Sequence, residues 1–567
     1  MKKAIAVILA LVLAFSLVAC GKSATDKPAS SDSGNSQTSN TPASSGSSGT
    51  TTTPTNPNAP SNETSELTTG TGDFTPSDEV LRIAHKGNPT GMCVLNIAAV
   101  SNNNPCMICL YDQLVSYDYV TKEVGPEIAT EWKYLDDTHI EFTLRDDVYS
   151  HAGDHLTASD VIFSVKTAIE STKLTKYYDV VDFDECKAID DTHVVLATKY
   201  VNPFFLMSLS NTPMSIIVEA SVEKNGGLEN ENLHPTAGTG PYKFVEWQDG
   251  AYITFERNEE YWKGPRYYKE VDVLVITDAS ARVMNVESGD AEIALNPDAA
   301  ALVNLEGRDD ISIINIPTAN IAVFSFNTSK EEFKDINVRQ AIAHAIDYVS
   351  DIKVALNNYG SLTDTFLPTA SSAYVSSAEG GFESSFTYNV DLAKEYMAKS
   401  AYPNGFEFNL IFPEGSTYQN YADLIQNQLK AIGITMHQEP LASSVFYERC
   451  NYGDFEASML NNANPDPAVI LTTFDPLNTY ETVSGNNSSS FIGGPEELGK
   501  LIADATVSID AATRKDLYTK IQAMHSEQVP TIPLYSPNFL CVANSDIVGL
   551  GLTVYGDIEF SGAYRVQ

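Results

Sequence analysis

The sequence predicts an α/β fold, and three observations carry that prediction. From about residue 80 onward, short segments of alternating or β-branched residues recur along the chain. Helical segments with start and stop signals stand between them, and no internal repeat interrupts the alternation.

The elements follow in order. Residues 81–84 (LRIA) open the folded part as a strand. Residues 138–144 (THIEFTL) alternate polar and apolar side chains, which suits a strand with one buried face. After a Gly153-Asp154 turn, Thr157 can cap a helix with Asp160 answering three residues on, and Val161, Ile162, Val165 and Ile169 continue at helical spacing. Residues 252–257 alternate again, and residues 271–276 form a largely β-branched run. Asn337 precedes a helix over residues 338–347, and residues 421–432 form an amphipathic helix with Gly433 as its stop.

The N-terminus stands outside this pattern. Lys2 and Lys3 lead an apolar run over residues 4–18, too short and wrongly flanked for a membrane-spanning helix, so residues 1–19 read as a signal peptide. The run ends in Leu17-Val18-Ala19-Cys20-Gly21, which resembles the bacterial lipobox and implies cleavage before Cys20 with lipidation of its sulfur. Residues 20–76 are dominated by Ser, Thr, Gly, Pro and Asn and read as a disordered tether. A coil of roughly fifty residues spans on the order of 40 Å, enough to hold a folded body off a membrane. The expected location is the outer face of the cytoplasmic membrane, reached through the lipid anchor.

Bulk composition narrows the function classes. The roughly 490 remaining residues exceed what one core supports, so two or three packed domains are expected. A formal net charge of −39 disfavours nucleic acid and basic membrane-surface patches. Six cysteines besides Cys20 (Cys93, Cys106, Cys109, Cys186, Cys450 and Cys541) allow fifteen pairings. Cys106 and Cys109 have redox or zinc spacing, but no second such pair and no HxxxH accompanies them. Disulfides, metal or redox chemistry, and buried thiols are the three readings. No GxSxG, HExxH or P-loop is present, although plentiful Asp and Glu leave a glycosidase-type carboxylate pair open. No cofactor, metal or enzymatic activity is expected.

Several blocks then resemble a known family. Tyr111-Asp112-Gln113-Leu114-Val115 is similar to its YDxLV segment, and residues 144–164 to the stretch ending in ltAxDVvfS. Residues 238–244 (GTGPYKF), Trp247, residues 257–262 (RNEEYW), the block 326–347 and the block 514–533 follow in family order. The chain thereby resembles the solute-binding proteins of peptide and nickel ABC importers, the family of dipeptide- and oligopeptide-binding proteins. The resemblance spans about residues 78–560.

It implies a two-lobed periplasmic-binding-protein fold of the large class, with an extra subdomain and a hinge between the lobes. Lobe 1 would comprise residues 77–115, 190–315 and 531–567, with residues 116–189 as its small subdomain; lobe 2 would comprise residues 316–530. A monomer would capture a dipeptide or oligopeptide between the lobes and deliver it to permease subunits. An oligosaccharide or other neutral polar solute, and a sensor role at a membrane receptor, are the alternatives.

The family's cleft is lined by the loop before the YDxL helix, here Ser101, Asn102, Asn103 and Asn104, and is bordered by the strand carrying Ser325. Peptide-binding relatives carry a Trp, then an Asp for the ligand's α-ammonium, then Asp-Pro. This chain departs from that pattern: residues 457–465 contain no Trp, Asp or Glu and offer Asn461, Asn462 and Asn464 before Asp466-Pro467. An amide-lined site suits a neutral polyhydroxylated ligand or a peptide held by its backbone. Tyr480, Asn486 and Asn487 in a following polar loop complete the candidates.

Overall fold

The computed structural model describes residues 74–96, 100–119, 121–170, 178–463, 467–482, 490–553 and 557–566, with backbone only at 100–102, 416 and 463. All lie in the compact unit Pro57–Gln567. Residues 1–73, with the signal sequence, Cys20 and most of the tether, lie outside the described residues. So do Asn464, Asp466, Asn486 and Asn487. No helix among the described residues is long and apolar enough to cross a membrane.

The expected elements form close to where their patterns place them. The strand His139–Leu144 buries every second residue, as THIEFTL requires. The helix Ala158–Glu170 opens with Thr157 and Asp160 engaged, the Thr157 N–H and hydroxyl both donating to the Asp160 carboxylate at 2.7 and 3.0 Å. The helix Ile336–Ala345 is capped by Asp335 and not by Asn337, because the Asp335 carboxylate accepts from the Asn337 N–H. Gly433 ends its helix in the left-handed conformation. Residues 101–104, expected as a loop, instead lie in the helix Val100–Leu110.

Among the described residues, twelve strands join in one sheet. Its first half contains Val80–His85, Glu270–Val275, Tyr252–Arg257, Tyr242–Gln248, Ile293–Leu295 and Ile311–Pro317; its second half contains Asn320–Phe326, Ala457–Ala463, Glu407–Pro413 and Thr435–Leu441. The strand Thr531–Asn544 runs through both. Its first five residues pair with Asn320–Phe326 and the short strand Gly360–Ser361 pairs at 536–537. Residues 538–544 pair with Ile311–Pro317. The boundary expected at 530/531 is therefore crossed: Ile532, Leu534 and Tyr535 belong to the second half's core. Likewise the small four-stranded sheet of the 116–189 region extends to the strand His193–Ala197.

Asp112 explains why three separated sequence blocks travel together. Its buried carboxylate accepts from the Thr239 hydroxyl at 2.8 Å, the Tyr261 hydroxyl at 2.7 Å and the Trp262 indole N–H at 3.0 Å. A buried charge is tolerable only when so satisfied. Gly238 and Gly240 are required by close approach to the helix end: a Cβ would lie 2.1 Å from the Leu110 carbonyl oxygen at Gly238 and 2.5 Å from its carbon at Gly240. Gly238→Ala is expected to lower stability by about 1–3 kcal/mol, read from the denaturation midpoint at unchanged slope.

The six cysteines outside the N-terminus are free thiols. Cys106 and Cys109 share one buried helix within the first half's core, and burial pushes Cys93 and Cys450 up to about 12. At such values the thiolate needed for metal binding or exchange is scarce. Five of the six thiols are buried and Cys186 is half-buried.

Candidate functional site

Strand direction locates the site. Val80–His85 runs parallel to Glu270–Val275 and Ile293–Leu295, and all three head toward the middle of Thr531–Asn544. In the second half, Ala457–Ala463 is antiparallel to Asn320–Phe326 and pairs Ala463 with Asn320, so it too ends at that middle. Glu407–Pro413 and Thr435–Leu441 run parallel to it. The carboxyl ends of both sets of parallel strands therefore face one junction, which is where open α/β sheets present ligand-binding loops.

Hydrogen bonds hold this junction together. The Thr318 hydroxyl donates to the Pro537 carbonyl at 2.7 Å, the Ser536 hydroxyl to the Asn320 carbonyl at 2.8 Å, and the Asn538 amide to Asn315 Oδ1 at 2.7 Å. On the first-half side the buried Arg282 guanidinium donates to the carbonyls of Ile276, Thr277, Leu295 and Asn296, fixing two strand ends at once. Lys86 is the first residue beyond Val80–His85, and its charge acts on Asp557, whose carboxyl burial pushes up to about 6.

On the second-half side, Asn461 and Asn462 reach the junction. Each leaves a polar atom, Asn461 Oδ1 and Asn462 Nδ2, buried without a hydrogen-bond partner among the described residues. Pairing with Ala322 and Ile321 puts the two side chains on opposite faces of the sheet, so one ligand surface does not meet both in the same way. Along the outer edge of their strand, the ladder to Glu407–Pro413 covers only Ala457 and Ser458. Beyond Ser458 that edge has no strand partner among the described residues; the Tyr418 hydroxyl sits against the backbone of Asn461 there.

The other candidates lie elsewhere. Ser325 is four residues from Ile321 along its strand, roughly 13 Å from the row of Asn462. It is 5% exposed, on the core face with Ile321 and Val323. The Tyr480 hydroxyl donates to Ser329 Oγ at 3.1 Å, its ring pressed on Gly453, at the far end of that strand. Asn103 is buried, its amide donating to the Gly91 carbonyl and its Oδ1 accepting from the Thr90 N–H at 3.2 Å. Asn104 Oδ1 accepts from the Thr212 hydroxyl at 3.0 Å. The structure thus uses both amides to fasten the helix. Of Ser101 and Asn102 only the backbone is described, in the same helix. Sequence reasoning missed Arg282, Tyr418 and Asp557; a search at the carboxyl ends of parallel strands would have reached the first two.

Residues 123–481 match the family described as bacterial extracellular solute-binding proteins, family 5, middle. The chain belongs to this family. Heme-binding protein A of Haemophilus influenzae is 24% identical over 475 residues, covering 79% of this chain and 85% of that protein. Di/tripeptide-binding protein 1 of Pseudomonas aeruginosa is 24% identical over 511 residues, covering 84% and 93%. The solved structure of HbpA2 from Haemophilus parasuis matches with a TM-score of 0.77 at 22% identity, covering 86% of this chain and 100% of that one. The fold is accordingly the two-lobed one of the periplasmic binding proteins.

Proposed function

We propose that this chain is the substrate-binding component of an ABC importer, that it captures a dipeptide or oligopeptide between its lobes, and that it hands the peptide to the permease. Lobe 1 is the body built around Val80–His85 with the 116–189 region as its subdomain, and lobe 2 the body from residue 320 to the start of Thr531–Asn544. Cys20 carries the lipid that keeps the protein on the outer face of the cytoplasmic membrane, and the tether lets it swing to its partner. No bond is made or broken; ligand shifts the lobes only by its differential affinity for their arrangements.

The observation that carries the peptide reading is the outer edge of Ala457–Ala463 beyond Ser458, which lies at the lobe junction with no strand partner among the described residues. Such an edge offers backbone donors and acceptors in the spacing of an extended peptide, the mode in which a bound segment adds a strand to a sheet. Asn461 and Asn462 are the side chains assigned to ligand contact, with Ser101, Asn102, Asn464, Asp466 and Asn487 as further members of the same set. The printed names of several relatives support the reading: besides the di/tripeptide-binding protein there are dipeptide-binding proteins of Escherichia coli and Pseudomonas aeruginosa.

The neutral amides at 461 and 462 favour one second reading, an oligosaccharide or other neutral polar solute. A thermal-shift screen of the folded body separates the two, using di- to hexapeptides, an oligosaccharide panel and haem, the last because of one relative's name. A peptide present at 100 times its Kd is expected to stabilise the fold by about 2.7 kcal/mol. Silence from all peptides with a response to sugars or haem would overturn the peptide assignment.

A further inference from the structure

The lobes are joined by more than the strands that cross between them. The hairpin formed by Val115–Asp118 and Glu123–Pro126, at the start of the lobe 1 subdomain, touches the crossing between the lobes at one point and lobe 2 at two. The Tyr119 hydroxyl donates to the Pro317 carbonyl at 2.8 Å, at the crossing itself. Tyr117 and Val124 pack against a cluster that holds Ile321, Val323, Phe366 and Phe474 of lobe 2 together with Phe204 and Met207 of lobe 1. Farther out, Lys122 Nζ donates to the carbonyls of Thr369 and Ser371, both at 3.1 Å.

Lys122 is an unusual residue for its place. It sits at the hairpin tip with φ of 60°, in the left-handed region where Gly or Asn is the less strained choice. Its ammonium is also partly withdrawn from water and meets carbonyls only, and burial lowers its pKa. A residue strained in its backbone and desolvated at its head is accounted for by what the side chain reaches.

We infer that this hairpin is a strap that sets the angle between the lobes, with Lys122 as its clasp and as a positioning residue for ligand capture. The strap bridges the lobes beside the crossing strands, so lobe movement must stretch or release it. Lys122 then biases which lobe arrangement a ligand meets, without touching the ligand. The inference rests on the two-lobed fold and does not depend on what the ligand is.

The test reads the lobes directly and without ligand. Fluorophores are placed on the full-length protein at Lys269→Cys in lobe 1 and Lys430→Cys in lobe 2, both exposed positions, while the native thiols of the folded body are buried or half-buried. Single-molecule energy transfer then gives the distribution of interlobe separation. Lys122→Met is expected to shift its mean and broaden it, Lys122→Arg to keep the native distribution, and Tyr119→Phe to give a smaller shift. Lys133→Met, which removes an exposed pair with Glu141 in the same subdomain, is expected to change nothing. Should Lys122→Met fail to fold, Tyr119→Phe and Lys122→Arg decide on their own. Distributions of Lys122→Met or Tyr119→Phe that superimpose on the native one would overturn the strap. A peptide-silent thermal screen would leave it standing.

Discussion

Asp112→Ala is expected to cost about 3–5 kcal/mol of stability, measured by urea unfolding of the folded body. The carboxylate is buried and takes donors from Thr239, Tyr261 and Trp262, which come from two segments far along the chain. Its removal leaves two buried donors and the half-buried Trp262 indole without their acceptor, and each buried group so orphaned carries a desolvation penalty of roughly 1–3 kcal/mol. Asp112→Asn keeps an oxygen and is expected to lose less. A loss below about 1 kcal/mol in the alanine variant would mean that water reaches these donors and that Asp112 is not the knot of lobe 1.

The second large effect is a pH dependence centred on Asp351. This carboxylate is 1% exposed in the helix Tyr348–Leu356, and its Oδ1 accepts from the Gln428 amide at 2.7 Å while Oδ2 has no partner in the protein. Burial pushes its pKa up to about 7, with the Gln428 hydrogen bond opposing and the nearby Asp347 charge adding to the rise. Between about pH 4 and pH 7 the native state therefore holds a proton that the unfolded chain has released. Stability falls as pH rises through that window and stays lowered above it. Asp351→Asn cannot ionise and keeps an acceptor for Gln428. It is expected to match the native protein near pH 4 and to exceed it by roughly 2–4 kcal/mol at pH 8, since one pKa unit corresponds to about 1.4 kcal/mol. Parallel stability profiles from pH 4 to 8 would show that Asp351 ionises freely in the fold.

Much of the fold was legible because its signals are local. The alternation of residues 138–144 dictates a strand with one buried face, and Thr157 with Asp160 starts a helix wherever it is placed. The candidate site was less legible. As neutral donors and acceptors Asn103 and Asn104 suit a polar ligand in sequence; in space they bond Thr90, Gly91 and Thr212. Ser325 lies on the right strand, but its register sets it roughly 13 Å along that strand from the row of Asn462. Asn461 and Asn462, adjacent in sequence, were grouped as one surface, and the alternation of a strand sends them to opposite faces.

The sequence by itself determined the class of the molecule: an α/β chain whose ordered blocks mark a large two-lobed solute-binding protein. The α/β class is written in periodicity and caps, which depend on neighbours within a few residues, and the two-lobed class in the resemblance of the ordered blocks to a family. Only the tertiary structure decided that Thr531–Asn544 serves both halves of the sheet, that the parallel strands of each half end at one junction, and that the edge beyond Ser458 has no strand partner among the described residues. It also decided that Lys122 clasps Thr369 and Ser371, 247 and 249 positions away. Partners at such separations leave no local trace, because the constraint that selects them is the geometry of the folded chain and not the propensity of any segment.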